Sequence, residues 1–555
     1  MFLFLDIFGY LSVVLRGLTL LAQSFTFGGI AFQVLLWRPL QAKLSADSVS
    51  VDGRCQRLLR ASALAWFALT IASLVVNAAA LTGTLEVSWR EAASADFARF
   101  ELAVAACALG IALLAKDRFA KSPWSGRRAA ALVGLALLGL AMQLNLTHAA
   151  SRVGVRWPLL LSDALHMLGA GVWIGGLPCF LLALNGCRSP SDWRLIGRRY
   201  SLMSMASVAA IVVGGTIMAV VYLGSFEAIY STAYGVMISA KIALLLMLLA
   251  LGGGNYLAVE RLRRDPTAPI LRLRRFVEVE IGIGLTVLMT AGSLTSLPPG
   301  VDLSQDRLTW QEIVERISPQ WPRLSSPAHD KLTISLLEAK IAAAQAQRAS
   351  APPAYVPGEG VILPRNAADI AWSEYNHHWA GIFVVLIGLL AMIEHFQWGR
   401  SARHWPLVFL GMAAFLFFRA DEMAWPLGPI GFFASLRDPE VAQHRMFVLL
   451  IILFGLFEWR VRLRGQEAGR AALVFPLTVA LGGALLLTHS HAIANVKDQL
   501  LIEMSHTPLA LCGIAGGWAR WLELRLGGRT GRIASWVWPV SFVLVGLILL
   551  DYREA

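Results

Sequence analysis

The sequence contains little charge. Charged residues make up 15% of its 555 residues, whereas 57% are hydrophobic. A soluble domain carries about 25% charged residues, which it needs to cover its surface. The apolar excess must therefore face lipid, and this excludes an ordinary soluble enzyme or binding domain.

Cysteine is also scarce, and no C-x-x-C pair occurs. None of the five cysteines lies in a loop that we predict to be extracytoplasmic, so we expect neither a disulfide framework nor a thiolate metal centre there. A metal site on that side must use His, Met or carboxylate ligands. No Walker loop or dinucleotide fingerprint appears, so we predict no nucleotide-driven pumping. We also predict that the protein is not an enzyme.

What the sequence does contain is a series of long apolar segments. A helix needs roughly 20 apolar residues to cross a hydrocarbon core of about 30 Å, and it satisfies its own backbone groups there. We predict an all-α polytopic membrane protein with about 14 transmembrane helices. The predicted spans are residues 8–36, 61–82, 97–115, 129–148, 159–184, 201–224, 235–258, 277–297, 377–397, 405–420, 445–461, 472–490, 502–522 and 534–550.

The net charge of +12 could indicate nucleic-acid binding, but the basic residues cluster in loops after the first, third and seventh spans. Such loops are cytoplasmic by the positive-inside rule. We therefore predict no nucleic-acid partner and place both termini on the outer side. The clustered residues are Arg38, Lys43, Arg54, Arg57 and Arg60; Lys116, Arg118, Lys121, Arg127 and Arg128; and Arg261, Arg263, Arg264, Arg272, Arg274 and Arg275.

A segment rich in proline, serine and charge interrupts the spans after the eighth. It divides the chain into an eight-helix membrane domain (1–297), an extracytoplasmic connector (298–376) and a six-helix carboxy-terminal membrane domain (377–555). The prediction is thus two bundles joined by an outer segment. Within the connector, helical spacing predicts short helices over residues 308–317 and 331–348.

Histidine is concentrated at one face of the predicted bilayer. Polar residues within spans are costly and so carry functional information. A single interfacial histidine is more often a snorkelling or capping residue than a ligand, but eight on the outer face point to function. They are His148, His166, His377, His378, His444, His489, His491 and His506.

Two of these histidines have neighbours that favour a metal site. Met142 and His148 lie on the same third of the fourth span. In the fifth span Asp163 precedes His166 by one turn, so the carboxylate could orient the ring as a second-shell partner. Met167 adds a thioether, and imidazole with thioether favours copper, particularly Cu(I). The alternative is a satisfied histidine with two packing methionines.

The residues from Asp163 to Leu177 read DALHMLGAGVWIGGL. This run resembles the signature of the copper resistance D (CopD) family of bacterial inner-membrane proteins, as does Thr147-His148-Ala149-Ala150. The resemblance extends over roughly residues 1–297. It implies copper handling across the cytoplasmic membrane, with periplasmic termini, and it carries His148 and His166 over as copper-binding positions.

The second half resembles the carboxy-terminal extension of longer CopD-like proteins. Glu503 and His506 repeat the carboxylate and imidazole pairing, so a second metal or cofactor site is an open alternative there. His489 and His491 are about 200° apart on an ideal helix and could share an ion only if the helix end unwinds. The remaining outer ligand candidates are His377, His378 and His444.

Charged residues inside the spans need partners. Arg16 and Lys241 would be expensive alone in hydrocarbon. Several carboxylates lie near inner ends, where pairing with loop arginines is the favoured interpretation and an exit relay for a cation is the alternative. They are Glu260, Glu278, Glu280, Glu394 and Glu458.

The leading functional prediction is a copper importer or conduit in the lipid bilayer, supplied by a periplasmic copper chaperone. Two other classes remain open. A membrane electron carrier could bind haem b through paired histidines. A non-transporting copper sensor or assembly factor could dock a partner on the outer segment.

Overall fold

The computed structural model is helical throughout the part of the chain that it describes, without a strand there. This confirms the predicted all-α class. Eleven of the described helices are long and apolar enough to cross a membrane. The total of about 14 spans stays a prediction. The described residues are 2–45, 49–85, 87–116, 125–303, 307–328, 367–436, 438–465, 469–488 and 496–553.

The first half places a helix at each of its eight predicted spans, and the first helix continues through a π-helical turn at Phe32–Trp37. The helices are α1 (Phe2–Ala31), α2 (Val49–Leu85), α3 (Asp96–Leu114), α4 (Gly126–Leu144), α5 (Arg156–Trp173), α6 (Leu177–Gly186), α7 (Pro190–Leu223), α8 (Ala233–Arg264) and α9 (Leu271–Leu294).

The second half begins earlier than predicted, because its first helix starts at Ala367 rather than near residue 377. Its second span opens with a 3-10 stretch, Gln397–Leu407. The helices are α10 (Ala367–Ile393), α11 (Val408–Arg419), α12 (Pro439–Arg464), α13 (Val474–Leu486), α14 (Val496–Arg525) and α15 (Gly528–Leu550).

The fifth predicted span is not one continuous helix, as residues 159–184 had indicated. Helix α5 ends at Trp173 and α6 begins at Leu177. The break follows from close packing against α1, since a Cβ at Gly175 would stand 1.8 Å from the carbonyl oxygen of Ser24. Only glycine leaves room for the two backbones to meet. Non-helical backbone at membrane depth is tolerated where protein buries it.

Part of the connector is described. The predicted helix over residues 308–317 appears as Trp310–Ile317, and Thr309 and Glu312 close its amino end with a reciprocal capping box. Its Ile313 packs against Leu500 of α14. The helix predicted over residues 331–348 lies outside the described residues.

The two halves meet along α14, and the apolar core of the first half continues into Ala510 and Ile514 of that helix. The indole of Trp518 of α14 packs against Gly282 of α9: a Cβ on that glycine would stand only 1.8 Å from Trp518 Cζ2. The indole of Trp521 donates a 3.3 Å hydrogen bond to Glu278 of α9. The second half is therefore packed against α9, which carries part of the site described next.

Candidate metal site

A cavity of about 1290 Å³ lies in the first half, between helices α1 to α5 and α7 to α9. The predicted residues His148, Asp163, His166 and Met167 all line it. Met142, predicted to share this site, instead packs with the apolar core around α4. Its assignment as a ligand stays a prediction.

The ring of His166 is held by the backbone of α7. Its Nδ1 lies 3.0 Å from the carbonyl oxygen of Ile211. A carbonyl oxygen only accepts, so Nδ1 carries the proton and Nε2 keeps its lone pair. Gly215 allows this approach, since a Cβ there would stand 3.2 Å from Nδ1. We expected Asp163 to orient this ring; the structure gives that role to a main-chain carbonyl.

His148 is held in the same way from another helix end. Its Nε2 lies 2.9 Å from the carbonyl oxygen of Thr295, which follows α9. The donated proton is therefore on Nε2, and Nδ1 keeps its lone pair. Within the described ranges neither His148 nor His166 has a second hydrogen-bond partner. A carbonyl on one ring nitrogen fixes the tautomer that leaves the other nitrogen available to a metal.

The two buried bases find partners in this cavity. Arg16 interacts electrostatically with Asp163 and Glu101. Lys241 interacts with Asp163, and so does the ring of His148. The two cations and two carboxylates offset one another in formal charge. The cavity therefore has polar walls without a strong field of one sign.

The donor set is sparse. In the described part of the chain, no three or more His, Cys, Asp or Glu side chains are grouped so as to hold a metal. The cavity offers two imidazoles, the thioether of Met167 and the Asp163 carboxylate from its walls. Such a set lacks the closed ligand cage of a structural metal site.

The histidines of the second half form a different group around Tyr552. The ring of His377 stacks on Tyr552 with 3.8 Å between centroids, and His506 lies 6.4 Å from His377. His377 Nδ1 lies 2.9 Å from the carbonyl oxygen of Ser373. Glu503 is buried one turn before His506, as the spacing predicted. These residues remain a candidate second site.

His378 serves a structural role. Its Nδ1 accepts a 2.7 Å hydrogen bond from the backbone N–H of Arg323, and its Nε2 donates to the carbonyl oxygen of Tyr552 at 2.9 Å. Both ring nitrogens are therefore occupied, which leaves no lone pair for a metal. We propose that His378 stabilises the fold rather than binding a metal.

His444 lies apart from both groups and binds a carboxylate. His444 Nδ1 lies 2.6 Å from Asp421, whose second oxygen is 3.9 Å from Arg445. Asp421 therefore faces both His444 and Arg445. His489 and His491 lie outside the described residues.

Among the inner carboxylates, one departs from the expected pairing with arginine. Glu260 and Glu278 bind arginines on their own helices, and Glu458 binds two. Glu280 instead accepts a 3.0 Å hydrogen bond from Asn255. Sequence inspection missed this pair, although a carboxylate within an apolar helix was a visible signal.

Residues 194–294 match the family model described as Copper resistance protein D. The chain carries a CopD-family domain. The CopD match spans most of α7 and all of α8 and α9, so it includes Ile211 and Lys241 of the cavity wall. It does not include His148 or His166, on which the resemblance was first based.

The chain is also 30% identical over 164 residues to the copper transport protein CutJ of Bacillus subtilis (strain 168). The alignment covers 29% of this chain and 29% of that relative. No solved structure matches the chain significantly. Together with the apolar helices, these likenesses support a copper-related multi-pass membrane protein containing a CopD domain.

Proposed function

We propose that the chain takes copper from the periplasmic side of the bacterial inner membrane and moves it inward through the cavity of its first half. The observation that carries the proposal is that one cavity contains two imidazoles whose orientation is set by backbone carbonyls. His148 is held by Thr295 and His166 by Ile211. The rings come from separate helices.

The chemistry of the lining favours a soft cation. Neutral imidazole suits copper, and the thioether of Met167 favours Cu(I) over hard ions such as magnesium or calcium. Each ring keeps one nitrogen lone pair because the other nitrogen donates to the backbone. An open ligand set also suits an ion that must leave again, since conduction requires binding that is not too strong.

The charges of the cavity are compatible with entry of a cation. Arg16 and Lys241 would repel it, but Asp163 and Glu101 offset them. An inward-negative potential would favour the movement by about 2.3 kcal/mol per charge per 100 mV. The proposal therefore needs no nucleotide. A periplasmic copper chaperone is the proposed donor, delivering at the end of the bundle that carries His148, and both termini lie on that side.

Copper uptake by proteoliposomes tests the proposal. His148→Ala and His166→Ala should each reduce the initial rate at least about tenfold, as expected when a metal's ligand shell is disrupted. The matched control is His404→Ala, an exposed histidine whose Nδ1 accepts from Trp459 at 3.0 Å, away from the cavity. It should leave uptake unchanged.

Two results would overturn the proposal. Equal uptake by the three histidine variants and the unaltered protein would remove the cavity from the path. A Soret band in the purified protein, with no copper bound, would instead identify a haem protein.

A further inference from the structure

The floor of the cavity lies at the break between α5 and α6. Trp173 and Ile174 line the cavity there. Each side chain lies against a glycine of a facing helix. A Cβ at Gly252 of α8 would stand 4.0 Å from Trp173 Cζ2, and one at Gly284 of α9 would stand 2.5 Å from Ile174 Cγ2. Ile174 therefore occupies space that Gly284 leaves open, and Trp173 lies beside Gly252.

On α8 the helix face that lines the cavity continues beyond this floor. Leu248 lines the cavity. Gly252 and Asn255 follow it by one and two turns, so they share its face. The next polar side chain along this face is thus that of Asn255, on the far side of the floor from His148.

Helix α9 shows the same continuation in the opposite chain direction. Leu288 lines the cavity. Gly284 and Glu280 precede it by one and two turns and share its face. Glu280 therefore lies beyond Ile174 at the depth of Asn255, and the two side chains meet there through the 3.0 Å hydrogen bond.

This pair is deeply buried and incompletely satisfied. Glu280 is 3% exposed and Asn255 is 8% exposed. The Oδ1 atom of Asn255 has no hydrogen-bond partner within the described ranges. No lysine, arginine or histidine of those ranges interacts with Glu280; its electrostatic neighbour is the Tyr200 hydroxyl. A carboxylate at membrane depth without a counter-ion is costly and is a mark of an ion pathway.

We infer that Glu280 and Asn255 form an inner relay site for the transported cation, separated from the cavity by Trp173 and Ile174. The inference rests on the proposed function and extends it by one binding position. An arriving cation would be a counter-ion for Glu280. The unpaired Oδ1 atom of Asn255 would coordinate the same cation. Oxygen donors hold soft copper less firmly than imidazole and thioether do, which suits a site that must release it.

Glu278, two residues away on the same helix, provides a matched control. It is paired with Arg275 at 2.5 Å and accepts from Trp521 of α14. It therefore already has its counter-ion and does not share the lining face. Conversion of either glutamate to glutamine replaces one carboxyl oxygen with an amide nitrogen at nearly the same depth.

The experiment compares Glu280→Gln and Glu278→Gln as full-length protein. Copper(I) binding is measured in detergent by competition with a chelator, and uptake is measured in proteoliposomes. We expect Glu280→Gln to keep copper binding at His148 and His166 while its initial uptake rate falls about tenfold or more. Glu278→Gln should retain both.

The outcomes separate the two claims. Unchanged uptake by Glu280→Gln overturns the relay site but leaves the proposed function standing. An equal loss in Glu278→Gln also overturns it, because the effect would then be a general cost of removing a buried carboxyl group. Absence of copper uptake by the unaltered protein defeats the proposed function itself. Glu280→Asp, which restores a carboxyl group, should recover part of the uptake rate. If Glu280→Gln does not fold and Glu280→Asp recovers no uptake, Glu280 contributes to stability alone and the relay site is overturned.

Discussion

The hydroxyl of Tyr200 donates a 2.6 Å hydrogen bond to the carbonyl oxygen of Trp173, where the fifth span is broken. Ending a helix leaves carbonyl groups without their usual partners, and in a membrane no water satisfies them. A side chain from α7 thus stabilises the break that places Trp173 at the floor of the cavity. The ring of Tyr200 also stacks on Phe180 of α6 with 4.2 Å between centroids.

Tyr200→Phe should lower the free energy of unfolding by about 1 to 3 kcal/mol, because it leaves a buried carbonyl less well satisfied while keeping the ring contact. Denaturant titration in detergent measures this. Tyr256→Phe is the control, since Tyr256 is 48% exposed on α8. Equal stability of the two variants would show that the hydrogen bond does not support the break.

Gly175→Ala should prevent correct packing of α5 and α6 against α1. The added Cβ would stand 1.8 Å from the carbonyl oxygen of Ser24, and backbone cannot yield as a flexible side chain does. The yield of folded protein and its melting temperature report the effect. Gly134→Ala, where nothing lies within 4 Å of the new Cβ, should be tolerated. A fully stable Gly175→Ala protein would contradict the described approach of the two helices.

His378→Ala should reduce stability without removing a copper ion. The ring joins the connector at Arg323 to Tyr552 near the carboxy-terminal end, so its loss removes two hydrogen bonds to the backbone. Metal analysis and a melting curve on the same preparation check both parts. Loss of one equivalent of copper with unchanged stability would restore His378 as a ligand.

Arg520→Met should cost about 3 kcal/mol of stability, because it removes one partner of a buried ion network. Arg520 donates to Glu458 at 2.8 Å, and the two side chains are 3% and 0% exposed. The exposed pair of Arg263 and Glu260 offers the comparison, where Arg263→Met should cost less than about 1 kcal/mol. Similar losses at both positions, measured by denaturant titration, would argue against a buried network.

The sequence was sufficient to predict what depends on local composition. Apolar length predicted the helical membrane class, and the motif around His166 predicted the CopD likeness. One-turn spacing also placed Asp163 and His166 on a common cavity wall. These features follow from helix geometry and from the cost of exposing backbone to lipid, which act over a few residues.

Contacts between distant segments could not be predicted in this way. The partner of His378 is Tyr552, 174 residues away, and nothing near His378 indicates it. The orientation of His166 depends on the carbonyl of Ile211 in α7. Every residue has a carbonyl, so the sequence does not show which one the ring will contact. The break at Gly175 had a visible signal in its adjacent glycines, but identifying it required knowing that α1 passes there. The sequence places Glu280 near the inner end of its span, but its buried contact with Asn255 depends on how α8 packs against α9.

The central claim is that copper binds in the cavity of the first half between His148 and His166. Anomalous diffraction at the copper edge, from crystals of the Cu(I)-loaded protein, tests it most directly. The account predicts a peak within bonding distance of His148 Nδ1 or His166 Nε2, and its loss in the double variant His148→Ala/His166→Ala. A peak only beside His377 and His506, unaffected by that double variant, would contradict the account.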